Sequence, residues 1–143
     1  ACLVGSEMCI RDRYPGVPEY FDNDGRGLYS YLTGVASWYM LTMITSVYGV
    51  HGELGDLVIE PALMPQQYNE KGDAKVSLEF AGHGFDILVH NPDKLEPGDA
   101  QVKRALCDDV KVENVTGNSV RIPRHAIEML STDKCHTVEI YIE

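Results

Sequence analysis

The 143-residue sequence has no apolar run of the ~18 or more residues that a membrane-spanning helix needs. The longest candidate, Val35 to Val50, is interrupted by Ser37, Thr42, Thr45, Ser46 and Gly49. Basic residues are scarce: 12 Lys and Arg stand against 22 Asp and Glu, a formal net charge of −10. Such a balance argues against nucleic acid or an anionic membrane as partner, since both demand a basic face. It leaves room for a local phosphate site, which needs only a few donors. Cysteine is sparse too. Cys2, Cys9, Cys107 and Cys135 form no C-x-x-C pair, so the usual zinc and thiol-redox patterns are missing. Scattered thiols suit a reducing compartment, and the expectation is a cytoplasmic protein. His51, His83, His90, His125 and His136 fall in no H-x-x-x-H or H-E-x-x-H pattern, so no metal site and no cofactor are expected. Ser6 follows Gly5 but has no nucleophile elbow around it, and Gly25-Arg26-Gly27 is too short for a nucleotide-binding motif. There is no internal repeat and no low-complexity tract. The sequon Asn114-Val115-Thr116 matters only in a secreted chain.

What is present is enough apolar material for a packed core, 44% of residues. Residue 1 is Ala, and residues 1–13 lack the basic start and apolar centre of a signal peptide. They resemble the peptide made when sequencing-adapter DNA is translated at the end of an assembled read. The expectation is therefore an artefact; the alternative is a short natural arm. On the first reading Cys2 and Cys9 carry no meaning.

Along the body of the chain, Pro15, Gly16, Pro18, Gly25 and Gly27 predict an irregular loop over residues 14–32, with a turn at Asn23-Asp24-Gly25. The loop is rich in Tyr14, Tyr20, Phe21, Tyr29 and Tyr31, aromatic residues that either pin it to the body or line a sugar site. From Gly34 to Val47 the spacing of Trp38, Leu41, Ile44 and Val47 or Tyr48 predicts a helix, broadened by Met40 and Met43 and therefore buried on most sides. Gly49 and Gly52 supply its stop. The chain holds no second long helical pattern for that helix to pack on, which points to a partner lying upstream.

Beyond Gly55 the pattern is β. Leu57–Ile59, Ala74–Phe80, Phe85–His90, Gln101–Leu106, Val110–Val112, Val120–Ile122 and Thr137–Ile142 read as short strands. Ala81-Gly82-His83-Gly84 reads as a hairpin turn, and Ala126–Leu130 as at most a helical turn. Strands of this length between turns predict a small antiparallel sandwich.

The stretch with most chemical promise is Thr33-Gly34, a small polar pair where a loop feeds a helix. Thr offers a cap and a hydroxyl, Gly lets an anion approach the backbone, and helix N-termini attract anions. An ordinary helix cap has the same pattern. Arg26, Glu19, Asp22 and Asp24 share the preceding loop, where solvated side chains are the default and one carboxylate near a sugar is the sharper reading.

Five motifs occur in order: Pro18-Glu19-Tyr20-Phe21, Gly25-Arg26-Gly27-Leu28-Tyr29, Tyr31-Leu32-Thr33-Gly34-Val35-Ala36-Ser37-Trp38-Tyr39, Tyr48-Gly49-Val50 and Gly52-Glu53-Leu54-Gly55-Asp56-Leu57. Together they resemble the C-terminal part of glycoside hydrolase family 94, the cellobiose and chitobiose phosphorylase family, whose module also occurs in cyclic β-1,2-glucan synthases. The likeness runs from about Pro15 through His90-Asn91-Pro92 and more loosely to the end. The residue after Thr-Gly is Val35 where the family usually has Ser, a change that a backbone contact survives.

The resemblance implies an α+β fragment. Residues 14–51 are the last loop and helix of an (α/α)6 catalytic barrel, and residues 52–143 a C-terminal, jelly-roll-like antiparallel β-sandwich. It implies an inverting hexosyltransferase that cleaves a β-linked disaccharide, cellobiose-like, with inorganic phosphate as co-substrate to give a sugar 1-phosphate. A single Asp is the general acid; by this resemblance it lies upstream, so no catalytic residue is expected here and residues 1–143 alone are expected to be inactive. Thr33 and Gly34 carry over as part of the phosphate site, and Glu19, Tyr20 and Arg26 are candidates near the sugar. The partners implied are disaccharide, phosphate and the rest of the same protein, with a homodimer possible in the whole enzyme. Two rivals stand beside it: a stand-alone carbohydrate-binding β-sandwich, and the phosphorylase-like module of a glucan synthase. Reading the frame upstream separates them. An Asp-bearing helical barrel is the expected outcome, and an unrelated domain there refutes the phosphorylase reading.

Overall fold

A computed structural model of the chain describes residues 17–24, 27–31 and 34–143. The chain divides into two compact units, the first ending at Thr42 and the second running from Met43 to Glu143.

In the first unit the stretch expected to be irregular loop is a hairpin instead. Strands β1 (Val17–Phe21) and β2 (Gly27–Tyr31) pair antiparallel, with Val17 opposite Tyr31 and Phe21 opposite Gly27. The aromatic residues that looked like loop anchors are strong strand formers, and they outweigh the breakers. Pro18 is tolerated because both strands of a two-stranded sheet are edges. The turn falls at Asn23-Asp24, as the sequence indicates, and the Asp24 amide donates to the Asp22 carboxylate at 3.0 Å. Helix α1 (Gly34–Thr42) follows. It carries no charge in its first or last turn. Its burial differs from expectation: Trp38 is 70% exposed, Tyr39 59%, Met40 64% and Leu41 50%. Four consecutive residues, each turned about 100° from the last, cover most of a helix circumference. The apolar surface therefore runs round the helix rather than forming one stripe with a polar back.

The second unit opens with a π-helical turn, Met43–Val47, closed by the Tyr48 amide donating to the Met43 carbonyl at 2.9 Å. Ile44, Val47 and Tyr48 pack on the core of this unit. Gly49, at φ +68°, ends the helical run, whereas Gly52 lies within a strand. Two mostly antiparallel sheets follow, an arrangement compatible with a β-sandwich. The four-stranded sheet has the order β3 (Val50–Glu53), β4 (Asp56–Ile59), β10 (Ser119–Ile122), β9 (Val115–Thr116). The five-stranded sheet has the order β5 (Asp73–Phe80), β6 (His83–His90), β11 (Cys135–Ile142), β7 (Val102–Cys107), β8 (Val110–Lys111). A short helix, α2 (Arg124–Glu128), joins β10 to β11.

The inward residues are those that alternation singles out. Phe85, Ile87 and Val89 of β6 and Val138 and Ile140 of β11 have no exposed surface. Leu57, Ile59, Val120 and Ile122 from the other sheet join them in one core cluster. One pairing departs from the antiparallel expectation: β11 runs parallel to β6, from Cys135 opposite Gly84 to Tyr141 opposite His90. Parallel neighbours need a long crossover, and the path through β7–β10 and α2 provides it. A further correction concerns His83. The β5–β6 turn is only Ala81-Gly82, with Phe80 opposite His83, so His83 is a buried strand residue and not a turn residue.

Three hairpins share one device. The two-residue turns Leu54-Gly55, Ala81-Gly82 and Asp108-Asp109 all have positive φ at both positions, the type I′ geometry that matches strand twist. Two glycines with positive φ separate backbone preference from crowding. A Cβ at Gly49 would lie 1.9 Å from the Glu60 carbonyl oxygen, whereas one at Gly82 meets nothing within 4 Å. Gly82→Ala is expected to cost about 1–2 kcal/mol, the penalty of left-handed backbone for an L-residue. Gly49→Ala is expected to cost at least about 2 kcal/mol more, because backbone must move as well. Urea unfolding of both variants checks this, and equal losses would show that the Glu60 segment yields freely.

Candidate functional site

Of the residues singled out for phosphate and sugar, Thr33 and Arg26 lie outside the described residues. Gly34 is the first residue of α1 and is exposed. Glu19 and Tyr20 are adjacent in β1, and Tyr20 pairs with Leu28. Val17 and Pro18 pair with Tyr31 and Ser30, so the open end of the hairpin is the end from which the chain enters α1, and Glu19 lies midway along β1. The backbone of the first unit thus brings the hairpin and the helix start together. First-turn amides of a helix have no intrahelical acceptor, and the dipole puts partial positive charge there. With no acidic residue in the first turn of α1, nothing on that turn repels an anion.

Three of the charged clusters in the second unit bear on function. In the first, Asp108 on the β7–β8 turn gathers three donors. Its Oδ2 accepts from Lys134 Nζ at 2.6 Å and lies 2.7 Å from His136 Nδ1, and its Oδ1 accepts from the Thr137 amide at 2.9 Å. The Lys134 ammonium, then the Thr137 amide and His136, hold the Asp108 carboxyl well below the usual carboxylate range, against a partial desolvation that pushes the other way. An Asp–His pair resembles half of a general-base arrangement, but the His136 side chain is 1% exposed. Its second nitrogen faces the Ser131 carbonyl oxygen at 2.7 Å, so no nitrogen is left for a substrate.

In the second cluster Arg121 bridges two acids, donating from Nη1 to Asp56 at 3.1 Å and from Nη2 to Glu53. The Asp56 carboxylate also accepts the Arg124 amide at 2.8 Å. That amide bond first, and Arg121 second, lower the Asp56 value. This is a clamp between the β3–β4 hairpin and the entrance of α2.

The third lies on the outer face of the five-stranded sheet. The Tyr141 ring is stacked on His90 with centroids 4.7 Å apart, and the Arg104 guanidinium carbon stands 4.0 Å from the Tyr141 centroid. His90 Nδ1 is 2.7 Å from Asp73, whose carboxyl that contact lowers. The Tyr141 hydroxyl donates to Glu139 at 2.8 Å, which raises the phenol. With His90 and Arg104 both on this ring, it makes a poor platform for a sugar.

Every described carboxyl with a shifted value, namely Asp56, Asp73, Asp86 and Asp108, moves down, so each is ionised at neutral pH. A carboxylic general acid needs the opposite shift. Cys107 is half-buried, and burial first, with the Asp108 charge second, pushes its thiol up; Cys135 is exposed. Among the described residues no group of three His, Cys, Asp or Glu side chains is placed to hold a metal ion. No helix among them is long and apolar enough to cross a membrane.

A groove of about 660 Å³ runs between the β7–β8 hairpin and α2, lined by Val110, Val112, Ile122, Ala126, Met129 and Leu130 among others. Val110 is 70% and Met129 85% exposed at this groove.

Sequence reasoning passed over the Asp108–His136–Lys134 cluster. Two signals for it existed. Asp108-Asp109 stands between two apolar strand residues as a tight turn, and His136 is in phase with Val138, Ile140 and Ile142, the inward face of β11. No protein-family model matches the chain, and no curated protein matches it. What the structure establishes about class is a small α+β protein with two mostly antiparallel sheets and few helices.

Because the Asp108 carboxyl is depressed in the folded state, its contribution to stability is complete above about pH 4, the ordinary carboxylate range, and is lost as pH falls further. Asp108→Asn is expected to lower stability at neutral pH by about 2 kcal/mol or more, the scale of hydrogen bonds to a charged group. The variant should also show a shallower acid-side decline than the parent. Urea unfolding across the acid range measures both, and parallel curves would show that Asp108 does not drive the acid limb.

Proposed function

We propose that the chain is the C-terminal part of an inverting glycoside phosphorylase, in which the Thr33-Gly34 pair helps to hold inorganic phosphate while a β-linked disaccharide is cleaved to a sugar 1-phosphate. The observation that carries this reading is the ordered motif series from Pro18 to Leu57, with Gly34 of the Thr33-Gly34 pair as the first residue of a helix. The physics of the site is simple. A hydroxyl and the amides of a helix start face a dianion, and no carboxylate on the first turn of α1 opposes it. Phosphate then stands where an inverting hydrolase places its activated water. Glu19, Tyr20 and Arg26, from the hairpin that feeds the helix, are the groups proposed near the sugar.

Helix α1 supports the reading in a second way. A helix apolar all round is one built to be surrounded, and this one is exposed over Trp38, Tyr39, Met40 and Leu41. Enclosure by the other helices of an (α/α)6 barrel would cover it. In the same reading the two-sheet unit is the family's jelly-roll-like final domain, and the enzyme works in the cytoplasm. A free-standing carbohydrate-binding module has less behind it, because the Tyr141 ring on the sheet face carries Arg104 and His90.

The test is made in the enzyme restored by its upstream reading frame, assayed for phosphorolysis of cellobiose. Thr33→Ala removes one hydrogen bond to a charged group, worth about 1.5–3 kcal/mol. The apparent KM for phosphate is expected to rise roughly 10- to 150-fold, with that for the disaccharide changing far less. Equal effects on the two would argue against a phosphate role for Thr33.

A further inference from the structure

We propose that β5 is the meeting edge of a weak homodimer, in which two copies of the chain pair this strand antiparallel about a two-fold axis at Ser77 and join their five-stranded sheets into one. The proposal does not rest on the phosphorylase reading. An edge strand carries backbone donors and acceptors with nothing beside them, and folded chains blunt such edges by keeping them short or bending them away. In the second unit β3, β9, β5 and β8 end a sheet. β8 and β9 are two residues long and β3 is four, whereas β5 has eight. Its register with β6 runs unbroken from Asp73 opposite His90 to Phe80 opposite His83, so no bulge turns this edge aside.

Which backbone groups face outward follows from those already engaged. Along an antiparallel strand, successive residues turn their N–H and C=O to alternate sides. The Gly72 carbonyl accepts the Asn91 amide at 2.8 Å, so the even-numbered positions face β6. Asp73 faces the other way: its carbonyl accepts the Asn69 amide at 2.9 Å, and its amide donates to Asn69 Oδ1 at 2.9 Å. The Lys75 carbonyl accepts the Tyr48 hydroxyl at 3.0 Å on that same side. Asn69 and Tyr48 thus cover the start of the edge. Past them, the outward amides and carbonyls of Ser77 and Glu79 have no partner among the described residues.

A second copy suits this open stretch because the strand is complementary to itself. With Ser77 opposite the partner's Ser77, Lys75 stands opposite the partner's Glu79, and by symmetry Glu79 opposite the partner's Lys75. All three residues are exposed in the single chain. Lys75 already donates to Asp86 at 2.8 Å, but an ammonium has three donors and can meet a second carboxylate. On the inner face Val76 comes opposite the partner's Leu78, and both residues are only partly buried in the single chain. Exposed charge pairs contribute little attraction, so they set the register, while backbone pairing and apolar cover supply the affinity. The net charge of −10 on each copy opposes association, though salt screens most of that repulsion. The result is a weak dimer.

Sedimentation equilibrium of the 143-residue chain at about 0.15 M salt is expected to show a monomer–dimer equilibrium with Kd below about 1 mM. A chain that stays monomeric to that concentration overturns the proposal and leaves the edge to a different occupant. Hydrogen exchange of the Ser77 and Glu79 amides is expected to slow at least about fivefold from dilute to concentrated protein, with that of β9 unchanged. Slowing at neither amide would count against this edge. Ser77→Pro removes the outward N–H at the axis and leaves the ladder with β6 intact, so Kd should rise at least about tenfold; an unchanged Kd would refute the pairing. Lys75→Glu and Glu79→Lys each set like charges opposite one another and should weaken self-association about threefold or more. Mixed together, those two variants pair acid with base at both positions and should associate more tightly than either alone. A mixture that gains nothing would contradict the register. Should the proline variant fail to fold, the mixing experiment and the parent's exchange rates decide the matter.

Discussion

Strand β11 is the constraint on which the second unit depends. It lies between β6 and β7, pairing parallel with the first and antiparallel with the second. Its inward residues Val138, Ile140 and Ile142 are buried at the middle of the core. The last strand in the sequence is therefore the one that completes the five-stranded sheet. Until it is seated, β5–β6 and β7–β8 are separate hairpins, each with an open edge and an uncovered apolar face. Such non-local pairing carries the loop-closure cost before it gains any contact. Holding the start of β11 in register is correspondingly valuable, and Asp108 does so by bonding the backbone of Thr137 and the side chains of Lys134 and His136 together.

Two of the three buried polar residues of this unit, His83 and His136, lie beside that anchor. The β7–β8 turn places Asp108 with positive φ at its first position, a conformation Asp tolerates better than most residues. The same geometry in the other two hairpins falls on Leu54 and Ala81, which bring no side chain able to reach across. A common turn type thus serves one structural purpose three times, and at one of them the turn residue also ties two strands of the sheet. The Arg121 bridge to Glu53 and Asp56 does comparable work at the other sheet, fastening β10 to the β3–β4 hairpin.

The first unit is built on a different principle. Its helix has no polar back and no charge at either end, so its stability in isolation cannot come from an amphipathic face. Its start follows a hairpin rich in aromatic residues. The phosphorylase reading joins these facts: a helix with large apolar side chains on most of its circumference is one to be enclosed, and its start is the part left facing a charged substrate. The charged clusters of the second unit fit structural roles better than catalytic ones, since their carboxyls are held ionised and their donors are already engaged.

Local chemistry determined much of the second unit. Alternation in β5, β6 and β11 identified the inward side chains, because a strand's faces repeat every two residues whatever it pairs with. Gly49 marked the helix stop for an equally local reason. The hairpin at residues 17–31 was misjudged because counting breakers ignores where they fall: Pro18 lies on an edge strand and Gly27 at a strand end. Thr33 and Gly34 were legible locally as a polar pair before a helix, and the ordered motif series sharpened them, with Glu19, Tyr20 and Arg26, into phosphate and sugar candidates; the structure describes Gly34 at the helix start and the backbone of Glu19 and Tyr20. Tertiary structure alone decided that β11 is central and parallel to β6, because strand neighbours are chosen by the whole core. It alone decided that Asp108 and His136, 28 positions apart in the chain, should meet at 2.7 Å. Donor–acceptor matching between distant segments has no period in a sequence, and it exists only once the sheet has brought those segments together.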